Sequence, residues 1–168
     1  MNQQGLLALA RYDAYANGLV LDTVAQLAEG AWHQEVSPSH GSVHKLLQHM
    51  MDCEEYFFSV CHGQPLEELP APSTVVDLRR YWFTLTQEIE GYVASRTDSD
   101  LERVVVVPLS GGTVQLPVWQ ALLQAFVHSI HHRGELSIVL TELGHPVPTL
   151  DIVLQFLQQS GQEWAPSG

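Results

Sequence analysis

The chain has 168 residues, 45% of them hydrophobic, with 19 acidic residues against 7 basic ones and a formal net charge of −12. That hydrophobic fraction suits one globular domain over residues 1–168 and excludes a disordered chain. The acidic surface repels phosphate backbones and anionic lipid, which argues against nucleic acid and membrane as partners.

From Gln3 to Ala28, apolar residues recur in three- and four-residue steps (Leu6, Leu9, Ala10, Leu19, Val20, Val24 and Leu27), predicting a first helix. The loop "EVSPSHG" follows. Ser42 is then placed to cap a second helix, "SVHKLLQHMMDCEEYFFSV", which closes before Gly63 and Pro65. A proline-rich connection, "PLEELPAPS", leads to Ser73 as the cap of a third helix running to about Ser95. Two β-branched runs, "RVVVVPL" and "TVQLP", flank "SGG" and read as a hairpin, the only strand-like piece. Pro117 suits the first turn of a fourth long helix ending near Gly144. The turn "GHPVPT" passes to a short last helix, "LDIVLQFLQQ". The expected class is all-α: a four-helix bundle with a small β-hairpin insertion before the fourth long helix and a short C-terminal helix.

Cys53 and Cys61 stand eight apart on one predicted helix, about 12 Å along its axis. That is too far for a disulfide, and reduced thiols suit an intracellular compartment. The start, "MNQQGLLALARYDAY", lacks a basic n-region and Arg11 breaks its apolar run, so it does not read as a signal peptide. No apolar stretch approaches the roughly 20 residues of a membrane span. A soluble, cytoplasmic protein is expected.

Three histidines in five residues, within "FVHSIHHRGELS", carry the functional signal. At 100° per residue, His128 and His132 border the stripe of Ala121, Ala125, Leu136 and Val139, while His131 falls among glutamines and glutamates. Four residues apart, two imidazoles stack about 6 Å from each other and can share an ion. On the second helix His49 falls beside Leu46, Cys53, Phe57 and Val60, and His44 projects outward with Gln48 and Glu55. If these helices are neighbours, three imidazoles converge. Three histidines with an open position describe a catalytic zinc site, and nickel is equally consistent. Against this, a lone His on an apolar face is usually a core residue, and HxxxH arises by chance in a chain with nine histidines. The HExxH zincin motif is absent, because residue 129 is Ser. Asp52 either orients a ligand histidine or is a solvated charge, and Cys53 reads as a small buried hydrophobe.

Taken together, "RYDAYANGLVLDTVAQL", "SVHKLLQHMMDCEEYFF" and "HSIHHRGEL" followed by "LGHPVPTLD" resemble the DinB (DinB/YfiT-like) family over nearly the whole chain. The resemblance implies a four-helix bundle in which His49, His128 and His132 bind a divalent metal. It implies metal-dependent thiol transferase or isomerase chemistry with a low-molecular-weight thiol, and a homodimer, to which the helical aromatics Trp82, Phe83 and Trp119 add support. The chain departs from the family pattern at Tyr15, where Trp is common, and at Glu135, where Gln is usual. Glu135 is a candidate general base, acidic rim residue or further ligand; Asn17 is placed at the pocket mouth or in solvent. The expected activity is attack by a metal-activated thiol or water on a small electrophile, of unknown identity. The alternative is a non-catalytic metal-binding or interaction module.

Overall fold

The protein is described from a computed structural model covering residues 1–28, 30–64 and 72–163. Helix α1 (Gln3–Val24) starts where the Asn2 side chain accepts the Gly5 N–H. Its last residues tighten into i→i+3 bonds, Gln26 to Thr23 and Leu27 to Val24, so it ends four residues short of Ala28. Helix α2 (Val43–His62) begins at Ser42, whose Oγ accepts the Lys45 N–H, and stops at Gly63 in the left-handed conformation. Helix α3 (Val75–Ala94) is capped by Thr74 rather than Ser73. Only the threonine has an acidic residue three positions on: Asp77 donates its N–H to Oγ1 and accepts the hydroxyl in return. Of the proline-rich connection, residues 65–71 lie outside the described ones.

A four-residue helix, α4 (Asp98–Leu101), was not expected; it forms on a capping box between Thr97 and Asp100. The segment "EVSPSHG" also differs from its reading as a loop. It holds two short antiparallel strands, β1 (Glu35–Ser37) and β2 (Gly41–Ser42), too brief to register as alternation. Gly41 is favoured at their turn by its backbone, whose φ of 81° lies in the left-handed region that residues with a Cβ rarely adopt. The expected hairpin is present as β3 (Val104–Leu109) and β4 (Gly112–Pro117), paired from Val104↔Pro117 to Leu109↔Gly112. Val105 and Val107 point inward and Val104 and Val106 outward, as a period of two dictates. Helix α5 (Val118–Glu142) follows directly from Pro117, and α6 (Ile152–Ser160) closes the described chain.

Among the described residues the protein is therefore mostly helical with two small hairpins. Helix α2 packs against α5, α5 against α1, α1 against α3, and α3 back on α2, around one shared apolar core. No helix among the described residues is long and apolar enough to cross a membrane. Trp82 belongs to the core, 1% exposed, so it offers nothing to self-association; Phe83 beside it is 64% exposed.

A polar cluster sits inside that core. Glu54 on α2 is fully buried and accepts from Trp82 Nε1 of α3 at 2.6 Å, Ser129 Oγ of α5 at 2.6 Å and Asn17 Nδ2 of α1 at 3.2 Å. Arg133 of α5, 2% exposed, donates through Nη1 to Asp13 and Asn17, both at 2.6 Å. Asn17 is thus neither at a pocket mouth nor in solvent; it bridges the two halves of this network. Burial, then the neighbouring Asp13 charge, push the Glu54 carboxyl well above its ordinary range. Its hydrogen bond to Asp13 requires a proton between the two carboxyl groups, and burial favours keeping it on Glu54.

Both Glu54 oxygens accept hydrogen bonds, so Glu54→Gln turns an NH2 group toward either the Trp82 donor or the Ser129 and Asn17 donors and is expected to lower stability by about 1–3 kcal/mol. Arg133→Met strands the Asp13 carboxylate in the core and is expected to lower it by about 3–5 kcal/mol. Urea denaturation of the two variants beside wild type checks the contrast.

Candidate metal centre

His49 comes from α2, and His128 and His132 from α5, which lie against each other in the most extensive helix contact of the fold. The donor atoms of the three imidazoles lie within 4.8 Å of one another. Ring centroids are 4.7 Å apart for His49–His128, 5.0 Å for His49–His132 and 4.5 Å for His128–His132. His49 Nε2 and His128 Nε2 face each other at 3.0 Å. Two nitrogens that each sit about 2.1 Å from one zinc are separated by about 3.0–3.4 Å at ligand angles between roughly 90° and 109°. The observed separation fits that geometry. Nδ1 of His128 and of His132 are buried without a hydrogen-bond partner. Clustered imidazole nitrogens are the donor type that suits a divalent ion of intermediate softness.

The electrostatics keep these rings ready to ligate. Burial, then its neighbours His132 and His49, lower the His128 pKa to about 4. Burial, then other imidazoles of the cluster, also lower His49 and His132. All three are neutral at pH 7, the form that binds metals. The thiols are not in that state. Burial, reinforced by Glu54 and Asp52, pushes Cys53 up to about 12; burial against the opposing charge of Arg103 does the same for Cys61, which packs against the Val118 carbonyl.

A fourth histidine was missed from the sequence. His40, on the β1–β2 turn, stacks on His49 with centroids 4.1 Å apart and meets the His132 ring edge-on at 5.2 Å. It is held by Glu135 through two serines. Ser37 Oγ donates to Glu135 Oε1 at 2.6 Å and accepts the His40 backbone N–H at 3.2 Å. Ser39 Oγ donates to Oε2 at 2.5 Å and lies 2.6 Å from His40 Nδ1. The Ser39 N–H reaches Oε1 as well. Burial would raise the Glu135 pKa, but the hydroxyls of Ser37 and Ser39 outweigh it and lower it, with the Ser39 amide and His132 contributing. His40, His132 and Glu135 form a second donor trio within 4.8 Å, and Glu135 Oε2 lies 3.8 Å from His132 Nδ1. In this arrangement, however, the carboxylate is engaged with the serines.

The other sequence candidates lie as follows. Asp52 is exposed and accepts from Gln48 Nε2 at 2.5 Å; it acts on His49 only through its charge, which opposes the lowering of that pKa. His44 does not project outward: it is half-buried, with its ring against Trp32 and His33 and Nε2 2.9 Å from the Pro72 carbonyl. His131 is exposed.

Comparison with known proteins adds the following. The sequence profile of the DinB family matches residues 1–164. A crystal structure of a DinB-like protein from Bacillus cereus ATCC 10987 is similar with a TM-score of 0.72 and 20% identity, over 89% of this chain and 99% of that one. A DinB-like protein, YjoA, from Bacillus subtilis is similar with a TM-score of 0.61 and 16% identity, over 85% and 97% respectively. No curated protein matches the sequence.

The lowered histidine pKa values give the metal-free protein a definite acid response. Between the folded values and the ordinary 6.5, the unfolded chain binds more protons, so stability rises with pH across that window. Denaturant midpoints measured from pH 7 downward should fall as pH passes 6.5 toward about 4, the value for His128. His128→Gln should fall less steeply than wild type over the same range, and the difference between the two curves isolates this ring from the carboxylates.

Proposed function

The chain belongs to the DinB family, and from that membership and the convergence of His49, His128 and His132 we propose that it is a divalent-metal-dependent enzyme acting on a small electrophile. Bound by these three imidazoles with a position left open, zinc or nickel would lower the pKa of water or of a low-molecular-weight thiol, supplying a nucleophile near neutral pH for hydrolysis or S-transfer. The observation that carries the reading is the 3.0 Å approach of His49 Nε2 to His128 Nε2, with His132 completing a trio that contains no cysteine or carboxylate. Closed structural zinc sites take four ligands, mostly thiolates; here Cys53 is held as a thiol by its surroundings.

The protein's own residues have separate tasks in this proposal. His49 and the His128–His132 pair fix the ion from two rigid helices, so the open position keeps a constant direction. Burial holds the rings neutral and keeps protons from competing with the ion. Glu135 acts on the turn that carries His40, leaving the ion to the imidazoles.

Protein purified without chelators is expected to carry about one divalent ion per chain by elemental analysis, and His128→Ala to lose most of it. In cobalt-substituted protein, addition of a small thiol should change the visible spectrum as the thiol enters the open position. Wild-type protein that holds no metal defeats the proposal. A cobalt spectrum indifferent to thiols points instead to a closed site and a non-catalytic metal-binding module.

A further inference from the structure

We propose that His40 is the ligand-recognising residue of this centre: through Nε2 it accepts a hydrogen bond from a hydrogen-bearing group of the molecule that takes the ion's open position. The inference rests on the metal-dependent reading above and adds a residue from outside the ion's own donor set.

Its first support is a count of hydrogens. Glu135 is a carboxylate and can only accept. Ser37 Oγ and Ser39 Oγ each direct their single hydrogen to it, at 2.6 Å and 2.5 Å. Toward His40, both hydroxyls are then acceptors. Ser37 receives the backbone N–H at 3.2 Å, and Ser39, 2.6 Å from Nδ1, receives the ring N–H. In the neutral ring the hydrogen therefore sits on Nδ1, and Nε2 keeps its lone pair. Glu135 sets this tautomer from a distance, and in doing so grips one histidine at both its backbone and its ring.

The second support is position. The His40 ring lies face to face with His49, 4.1 Å apart and inclined by 26°. Stacked imidazoles have lone pairs running side by side in their ring planes, so the two cannot both converge on one ion about 2 Å away. His40 in this arrangement is not a fourth ligand. It flanks whatever His49 helps to bind, and its contact with His132 places it over the junction of α2 and α5. The ring is only half-buried, so a small molecule can reach it. The ligand class this suits is a small molecule whose metal-binding atom, or the atom next to it, carries hydrogen.

Cobalt-loaded full-length protein tests this by titration of the visible spectrum with two probes. Benzenesulfonamide binds cations through a nitrogen that retains one N–H; thiocyanate has no hydrogen. His40→Ala is expected to weaken benzenesulfonamide about tenfold, the loss of one hydrogen bond. It should leave thiocyanate within about twofold and keep the cobalt content of wild type. His40→Gln, which offers a carbonyl acceptor, should recover part of the loss. An equal loss for both probes overturns the inference, as does no loss for benzenesulfonamide, or a wild-type site that takes thiocyanate but not benzenesulfonamide. Those outcomes leave the metal-dependent reading standing, whereas wild-type protein that takes up no cobalt removes both.

Discussion

The arrangement depends on a buried carboxyl group whose surroundings oppose its ionisation. Glu54 sits at the meeting point of α1, α2, α3 and α5, and its three donors, Asn17, Trp82 and Ser129, come one from each of the other helices. A charged carboxylate there would face both the loss of solvent and the Asp13 charge; a neutral one can hydrogen-bond to Asp13 and leave that carboxylate to Arg133. The core thereby carries one ion pair where a naive count of its side chains finds two acids and one base. Apolar burial holds the helices together, but it is indifferent to small rotations. These directional bonds are not, and they fix the helices in azimuth.

That azimuth matters because the candidate metal centre is built on the same helices. His128 and His132 are four apart on α5, and so are Ser129 and Arg133, the next residue along in each case. The two stripes lie about 100° apart on one cylinder. One stripe reaches Glu54 and Asp13 in the core; the other meets His49 at the edge of the α2–α5 contact. Turning α5 enough to separate His128 from His49 would pull Ser129 off Glu54 and Arg133 out of Asp13. Site geometry and core stability are the same constraint seen from adjacent faces of one helix.

How much of this could be read from the sequence follows from the range of each interaction. Helical periodicity is local, so the long helices, the β3–β4 hairpin and the inward direction of His49, His128 and His132 were legible. The cap of α3 slipped by one residue because Ser73 and Thr74 are adjacent hydroxyls, and only the return bond from Asp77 separates them. Glu54 was invisible for a different reason. A glutamate in a helix reads as a solvated charge, and nothing within four residues reveals that Trp82 and Ser129 will arrive from other helices to receive it. Asn17 and Arg133 escaped in the same way, because Asn17 meets Glu54 across 37 residues and Arg133 meets Asp13 across 120.

His40 shows where the boundary falls. Its surroundings, "SPSHG", carry a turn signature, and Gly41 with its positive φ is the residue such a turn demands. What the turn brings together could not be inferred, because the anchor is Glu135, 96 residues beyond Ser39. A glutamate three positions after a candidate ligand histidine invites the reading that it serves the ion. The two serines redirect it. With Ser37 and Ser39 donating to its oxygens, Glu135 holds a loop and sets a tautomer, and it acts on the centre through His40 as well as by its charge beside His132. The chemical meaning of an acidic residue beside a metal-binding motif is thus decided by which hydrogens reach it first, and here they come from a strand pair too short to be seen in the sequence.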